Sequence, residues 1–142
     1  MARRDIGGAI AMRKSGLSEA DADELFLTPA EATTQFALGP VIAPTLEGTW
    51  VAYAAATEPG YFKSADGLVY LQGAVKSGVI GTTIFTLPVG YRPSIDTYAV
   101  SYSISTAEAR FEISAATGAV RHASGSTAIS SLSIPPFRAA AA

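Results

Sequence analysis

The sequence predicts an all-β fold: an antiparallel β-sandwich, jelly-roll-like, preceded by a short helical N-terminal arm. Three observations predict it. From residue 50 onward, about eight β-branched and aromatic runs recur at the 8–12-residue spacing of sandwich strands. Between them stand Gly-, Pro- and Ser-rich turns such as Asp66-Gly67 and Ser124-Gly125-Ser126. No run alternates with a helix of adequate length, so a parallel α/β architecture is not expected.

Residues 1–17 carry Arg3, Arg4, Arg13 and Lys14 against the single Asp5, and Gly7, Gly8 and Gly16 break any long helix. Two readings stand: a tail that docks on a partner surface, or a disordered terminus. The apolar run 6–12 is short and is cut by Arg13-Lys14, so a secretory signal is not expected. Ser18-Glu19-Ala20-Asp21 has the shape of a capping box, and its acids suit the positive end of a helix that ends near Leu27. A second start follows, with Thr28 as N-cap, Pro29 in the first helical position and Glu31 three residues after the cap. That helix runs to about Leu38, where Gly39-Pro40 stops it. Leu25, Phe26, Leu27 and Phe36 have little nearby to bury them, so they are expected to pack on a partner chain or on the β domain. The Pro- and Gly-punctuated stretch 41–48 reads as a connector. The expected division is an arm over 1–45, a β domain over 46–138 and a terminal tail over 139–142.

The first strand is expected over 50–56, with Trp50, the only tryptophan, as a core or interface anchor. Residues 61–63 form a short strand. Asp66-Gly67 then makes a two-residue hairpin turn, because the primed turns need the positive φ that Gly adopts freely. Residues 68–76 read as the longest strand and 82–87 as the next, stopped by Pro88, Gly90 and Pro93. Along 95–104, Tyr98, Val100, Tyr102 and Ile104 share one face, and Ala99, Ser101 and Ser103 the other. The tyrosine-bearing face is assigned to the core or to an interface. In 108–114, Phe111 and Ile113 oppose Arg110 and Glu112. Gly118 turns the chain into 119–123, and a last strand over 128–134 ends at Pro135-Pro136.

A chain of 142 residues has the mass for one real core. It is 49% hydrophobic and only 15% charged, against about 25% charged in an average domain. Such a surface predicts a homo-oligomer or a subunit of a larger assembly. The opposing reading is a monomer rich in small Ala, Gly, Ser and Thr. Net charge is −2, with no clustered basic footprint for nucleic acid. There is no cysteine, which excludes disulfides and Cys-based metal sites, and no apolar stretch long enough for a membrane-spanning helix.

Chemistry is sparse. His122 is the only histidine, and no GxSxG elbow surrounds the neighbouring serines, so a half-buried structural role is expected. The alternative is a metal site formed where three copies meet on an axis. On an extended strand Glu108 and Glu112 stand ~13 Å apart, beyond the ~5–9.5 Å of glycosidase pairs. No phosphate-binding glycine loop occurs. The expectation is a protein that is not an enzyme and holds no cofactor or metal. Six tyrosines remain; of these Tyr91, beside Arg92 in a Pro-bounded loop, is the best surface candidate, with turn-fixing as the competing role.

The run Gly60, Tyr61, Lys63, Asp66, Gly67, Val69, Leu71, Gly73, followed by Ile84, Phe85, Leu87, Pro88, Gly90, Tyr91, Arg92 and Pro93, resembles the globular heads of bacteriophage tail fibres and minor tail proteins. The likeness spans roughly residues 50–137. It implies a homotrimeric head on a virion that binds a partner, with no enzymatic activity. Under it, Trp50, Tyr61, Tyr91 and Arg92 become candidate surface or interface residues. Arg3, Arg4, Arg13, Lys14, Leu25, Phe26 and Phe36 become a candidate arm docking on other virion proteins. Host-surface glycan is the implied ligand, with capsid decoration or a capsid-mounted head fibre as an alternative. A free-standing carbohydrate-binding module is a further alternative.

Overall fold

The computed structural model describes residues 28–31, 37–105 and 108–141. Two compact units divide the chain, Met1–Ala37 and Leu38–Ala142. Of the first unit, the described part bears out the second capping box. The Glu31 amide donates to Thr28 Oγ1 (3.2 Å) and the Thr28 amide to Glu31 Oε2 (2.8 Å), with residues 29–31 helical. The Thr28 amide, and after it the Thr28 hydroxyl, hold the Glu31 carboxyl below its usual pKa. The arm residues Arg3, Arg4, Arg13, Lys14, Leu25, Phe26 and Phe36 lie outside the described residues, as does the first expected helix.

In the second unit, the chain from Leu38 runs beside the β domain. Leu38, the expected end of the second helix, instead bridges to Ser64, and Ile42 of the expected connector bridges to Tyr61, so the chain is already strand-like there. Of the expected 50–56 strand only β1 (Val51–Ala52) is paired in a sheet. Ala55–Thr57 closes into a 3-10 turn, tied by the Thr57 amide and hydroxyl to the Ala54 carbonyl (2.9 and 3.2 Å). An alanine run lacks the branched side chains that favour a pleated strand, so this local bond decides its conformation.

β2 (Gly60–Lys63) and β3 (Leu68–Gln72) make the expected hairpin, in the register Tyr61↔Leu71 and Lys63↔Val69. The turn is not the expected two-residue one on Asp66-Gly67: the Gly67 amide donates to the Ser64 carbonyl (2.9 Å), which puts Ala65 and Asp66 at its centre, and only Gly67 takes a positive φ, +87°; Ser64 also donates its hydroxyl to the Asp66 carboxylate. The expected long strand 68–76 is two strands. At Gly73 the backbone takes φ +89°, and the chain leaves the first sheet as β4 (Ala74–Lys76) in another. Only glycine enters that region at little cost.

The remaining strands are β5 (Thr83–Thr86), β6 (Thr97–Ser101), β7 (Ala109–Ile113), β8 (Ala119–Ser124), β9 (Ser130–Ser131) and β10 (Phe137–Arg138). They complete three antiparallel sheets, β1-β4-β9, β10-β3-β2 and β5-β8-β7-β6, so the expected all-β class holds. One core joins them: Val75 from the first sheet, Val69 and Leu71 from the second, Ile84, Phe111 and Val120 from the third. Ile84 and Phe85 are both buried although adjacent, because a register shift in β5 turns both inward. The expected last strand is cut to β9, since serine hydroxyls there bond to local backbone instead: Ser130 Oγ to the Ser126 carbonyl (2.6 Å) and the Ser133 amide to Ser131 Oγ (3.2 Å).

Chain past Pro136 is stitched in. Phe137 is buried opposite Val69, the Ala139 amide donates to the Gly67 carbonyl (2.9 Å), and the Ala140 amide to that of Arg92 (2.7 Å).

The turn at Gly73 is crowded as well as left-handed. A Cβ there would strike the Glu58 carbonyl and stand 2.8 Å from Pro59 Cα. Gly81 has a similar φ, +85°, with open space around it. Gly73→Ala is therefore expected to cost at least about 3 kcal/mol and Gly81→Ala about 1 kcal/mol. Urea unfolding of the two variants checks this, and equal losses would contradict it.

Candidate functional site

Four of the sequence-predicted residues divide into an anchor and a cluster. Trp50 is buried. Its indole lies against the bare backbone of Gly78, where a Cβ would land on the ring, and its Nε1 donates to Thr82 Oγ1 (2.9 Å). It is a core anchor.

Tyr61, Tyr91 and Arg92 come together. Pro88 and Gly90 (φ +93°) fold the 88–91 turn, closed by the Tyr91 amide on the Pro88 carbonyl (3.1 Å). That turn sets Tyr91 edge-on to Tyr61 at 5.1 Å, and Tyr61 stacks on Phe85 at 6.2 Å. Lys63 Nζ donates to the Gly90 carbonyl (2.7 Å) and lies 4.8 Å from the Tyr91 ring centroid. Arg92 donates Nε to the Leu87 carbonyl (2.9 Å) and Nη1 to that of Ala116 (3.0 Å), so it ties two loops. Turn-fixing is thus part of its role.

Beside this cluster lies a hollow of about 490 Å³, lined among others by Pro44, Glu47, Tyr61, Thr86, Pro88 and Arg92. Thr86 donates its hydroxyl to Glu47 Oε1 (2.8 Å) across 39 residues of chain. Burial, helped by Tyr91, pushes the Tyr61 hydroxyl pKa up. Neither Glu47 nor Thr86 was legible as a site residue: one sits in the expected connector, the other mid-strand, and no spacing links them.

His122 is fully buried rather than half-buried. It lies between Trp50 and Phe111, each at a ring-centroid distance of 5.2 Å, so it is enclosed within its own chain. Its Nε2 meets Ser130 Oγ at 2.8 Å, while Nδ1 has no hydrogen-bond partner. Desolvation holds its pKa below the usual 6.5. The two hairpin carboxylates are engaged by arginines: Glu108 by Arg110 (3.4 Å) and Glu112 by Arg121. Among the described residues, no group of three or more His, Asp or Glu is placed to hold a metal ion.

The outer face of the four-stranded sheet reverses a strand's usual polarity. On β6 and its flanks Ile95, Tyr98, Val100, Tyr102 and Ile104 are 74%, 72%, 53%, 60% and 38% exposed. The small residues face inward, and the reason is the serine-rich chain against them. Ser103 Oγ donates to the Ser126 and Ile129 carbonyls (3.1 and 3.2 Å), Ser101 Oγ donates to the Ser133 carbonyl (3.1 Å), and the Ser131 amide reaches the Tyr102 carbonyl (2.9 Å). Of the two assignments of the tyrosine-bearing face, core among the described residues is excluded. Beside the apolar stripe, in register on β7 and β8, stand Arg110, Glu112 and Arg121.

Compared with known proteins, the chain matches no family model, no curated protein and no solved structure. The likeness of residues 50–137 to fibre heads rests on the quoted residues alone.

The imidazole carries a pH prediction. The unfolded chain takes up a proton near ~6.5, the folded chain only at lower pH, so below ~6.5 the unfolded state binds more protons. Stability is therefore full above that value and falls as pH drops. Urea midpoints are expected to fall from about pH 7 to about pH 5, and His122→Gln to flatten that slope. An unchanged slope in the variant would contradict a buried neutral histidine.

Proposed function

We propose that this chain is a structural protein of a bacteriophage particle, a homotrimeric head displayed on the surface and binding a host-surface glycan. The arm of residues 1–45 docks the head on other virion proteins. The observation that carries the reading is the reversed strand β6. A strand that, with its flanks, turns two tyrosines, a valine and two isoleucines outward, and serines inward, is built to be covered. The rim beside it carries both charge signs, in Arg110 and Glu108 and in Glu112 and Arg121, as an interface between identical copies requires. Threefold rather than twofold symmetry, and the virion setting, come from the resemblance of the 60–73 and 84–93 runs. The low charge of the whole chain, 15%, supports burial of surface in an assembly.

The three turns that carry the resemblance fit a display scaffold. Gly67, Gly73 and Gly90 hold positive φ, and Arg92 clamps two loops. They fix a rigid body and leave its surface free to vary.

Light scattering of the purified full chain at micromolar concentration is expected to give three times the chain mass. Tyr98→Glu combined with Val100→Glu is expected to give the monomer mass with unchanged circular dichroism. A wild-type chain that is monomeric at tens of micromolar would overturn the reading.

A further inference from the structure

We propose that the hollow beside the 88–92 turn is a saccharide subsite that takes one neutral sugar ring. This names a place for glycan recognition and rests on the glycan-binding half of the proposed function; it does not depend on self-association.

Three unspent polar groups meet there. Tyr61 is only 6% exposed, and a buried tyrosine ordinarily finds a hydrogen-bond partner for its hydroxyl. The Tyr61 hydroxyl makes no hydrogen bond to another described residue and is instead open to solvent, where the residue lines the hollow. Arg92 uses Nε and Nη1 on two carbonyls, and no carboxylate pairs with it among the described residues. A guanidinium has five N–H donors, so Nη2 remains to give. Glu47 accepts the Thr86 hydroxyl at Oε1, which fixes its carboxylate and leaves Oε2 to accept. One donor, one acceptor and one hydroxyl that serves either way thus line the same space.

The walls are apolar. Pro44, Pro88 and Leu87 line the hollow with Ala43. Its volume of about 490 Å³ falls in the ~300–1,000 Å³ range of small-molecule sites. A sugar ring presents this combination in reverse: hydroxyls that donate and accept around its edge, and C–H patches on its faces. The paired charges choose among ligands. An anion would meet Glu47 and a cation would meet Arg92, each at a desolvation cost. A neutral polyol offends neither. Preorganisation favours it further, since the lining is held by two prolines, by the Arg92 clamps and by the Thr86–Glu47 bond before any ligand arrives.

The test is a titration of the ¹⁵N-labelled full chain with the methyl glycosides of glucose, galactose and N-acetylglucosamine, followed by amide shifts. Binding of one ring to an open site is expected at millimolar strength, or about −4 kcal/mol. At least one glycoside is expected to shift the amides of Thr45, Glu47 and Thr86, saturably. Tyr61→Phe keeps the stacked ring and Glu47→Ala alters an exposed side chain, so both are expected to fold. Each is expected to weaken binding at least tenfold. No shift with any of the three glycosides, or wild-type affinity in the two variants, would overturn the subsite. A trimer that binds no glycoside defeats only this inference. A monomer that binds one defeats only the assembly.

Discussion

The fold depends on one residue without a side chain. At Gly73 the chain takes a positive φ, turns out of the β10-β3-β2 sheet and enters the β1-β4-β9 sheet within one peptide. The joint is pinned on both sides. The Gly73 carbonyl accepts the Leu132 amide (2.9 Å), and the Ala74 carbonyl accepts that of Tyr53 (2.8 Å). Glu58 and Pro59 press against the position a Cβ would take. Because of this turn, Leu71 before it and Val75 after it reach the same core from different sheets. Three small sheets, each marginal alone, then share one buried cluster.

The second constraint is the loop that Arg92 clamps. Its guanidinium spans the Leu87 and Ala116 carbonyls, and its own carbonyl receives the Ala140 amide. The C-terminal chain, the 88–92 turn and the β7–β8 turn are thereby held together. Gly118 belongs to the same arrangement: with φ +80° and no side chain, it lets Arg92 pass at close range. The clamped region borders the hollow where Tyr61, Glu47 and Thr86 meet. Labour is divided here: backbone-to-arginine bonds make the frame, and the side chains between them line the hollow.

Much of this was legible. The hairpin of 60–63 with 68–72, the Thr28–Glu31 capping box and the alternation of Phe111 and Ile113 against Arg110 and Glu112 are local in origin, and the structure has each of them, although the hairpin turns on Ala65-Asp66 rather than Asp66-Gly67. What failed to show was long-range. The sandwich pattern predicts a strand over 68–76 because alternation continues through Gly73, and only packing against Glu58 reveals the break. Period-two alternation in 95–104 says that two faces differ. It does not say which face the rest of the chain covers. The inward serines of β6 and its flank, Ser101 and Ser103, are chosen by carbonyls of residues 126–133, between 23 and 32 positions later. The Glu47–Thr86 bond had no signal at all, because its partners lie in different elements with no shared motif.

The central claim is that a second copy covers the outward face of β6. The chain has no cysteine, so Val100→Cys places a unique thiol on that face. Its rate of modification by a small maleimide, measured from nanomolar to tens of micromolar protein, tests the claim directly. Coverage predicts that labelling slows at least tenfold as concentration rises, while a control thiol at the exposed Val89 keeps one rate throughout. A Val100→Cys thiol that reacts equally fast at every concentration would contradict it.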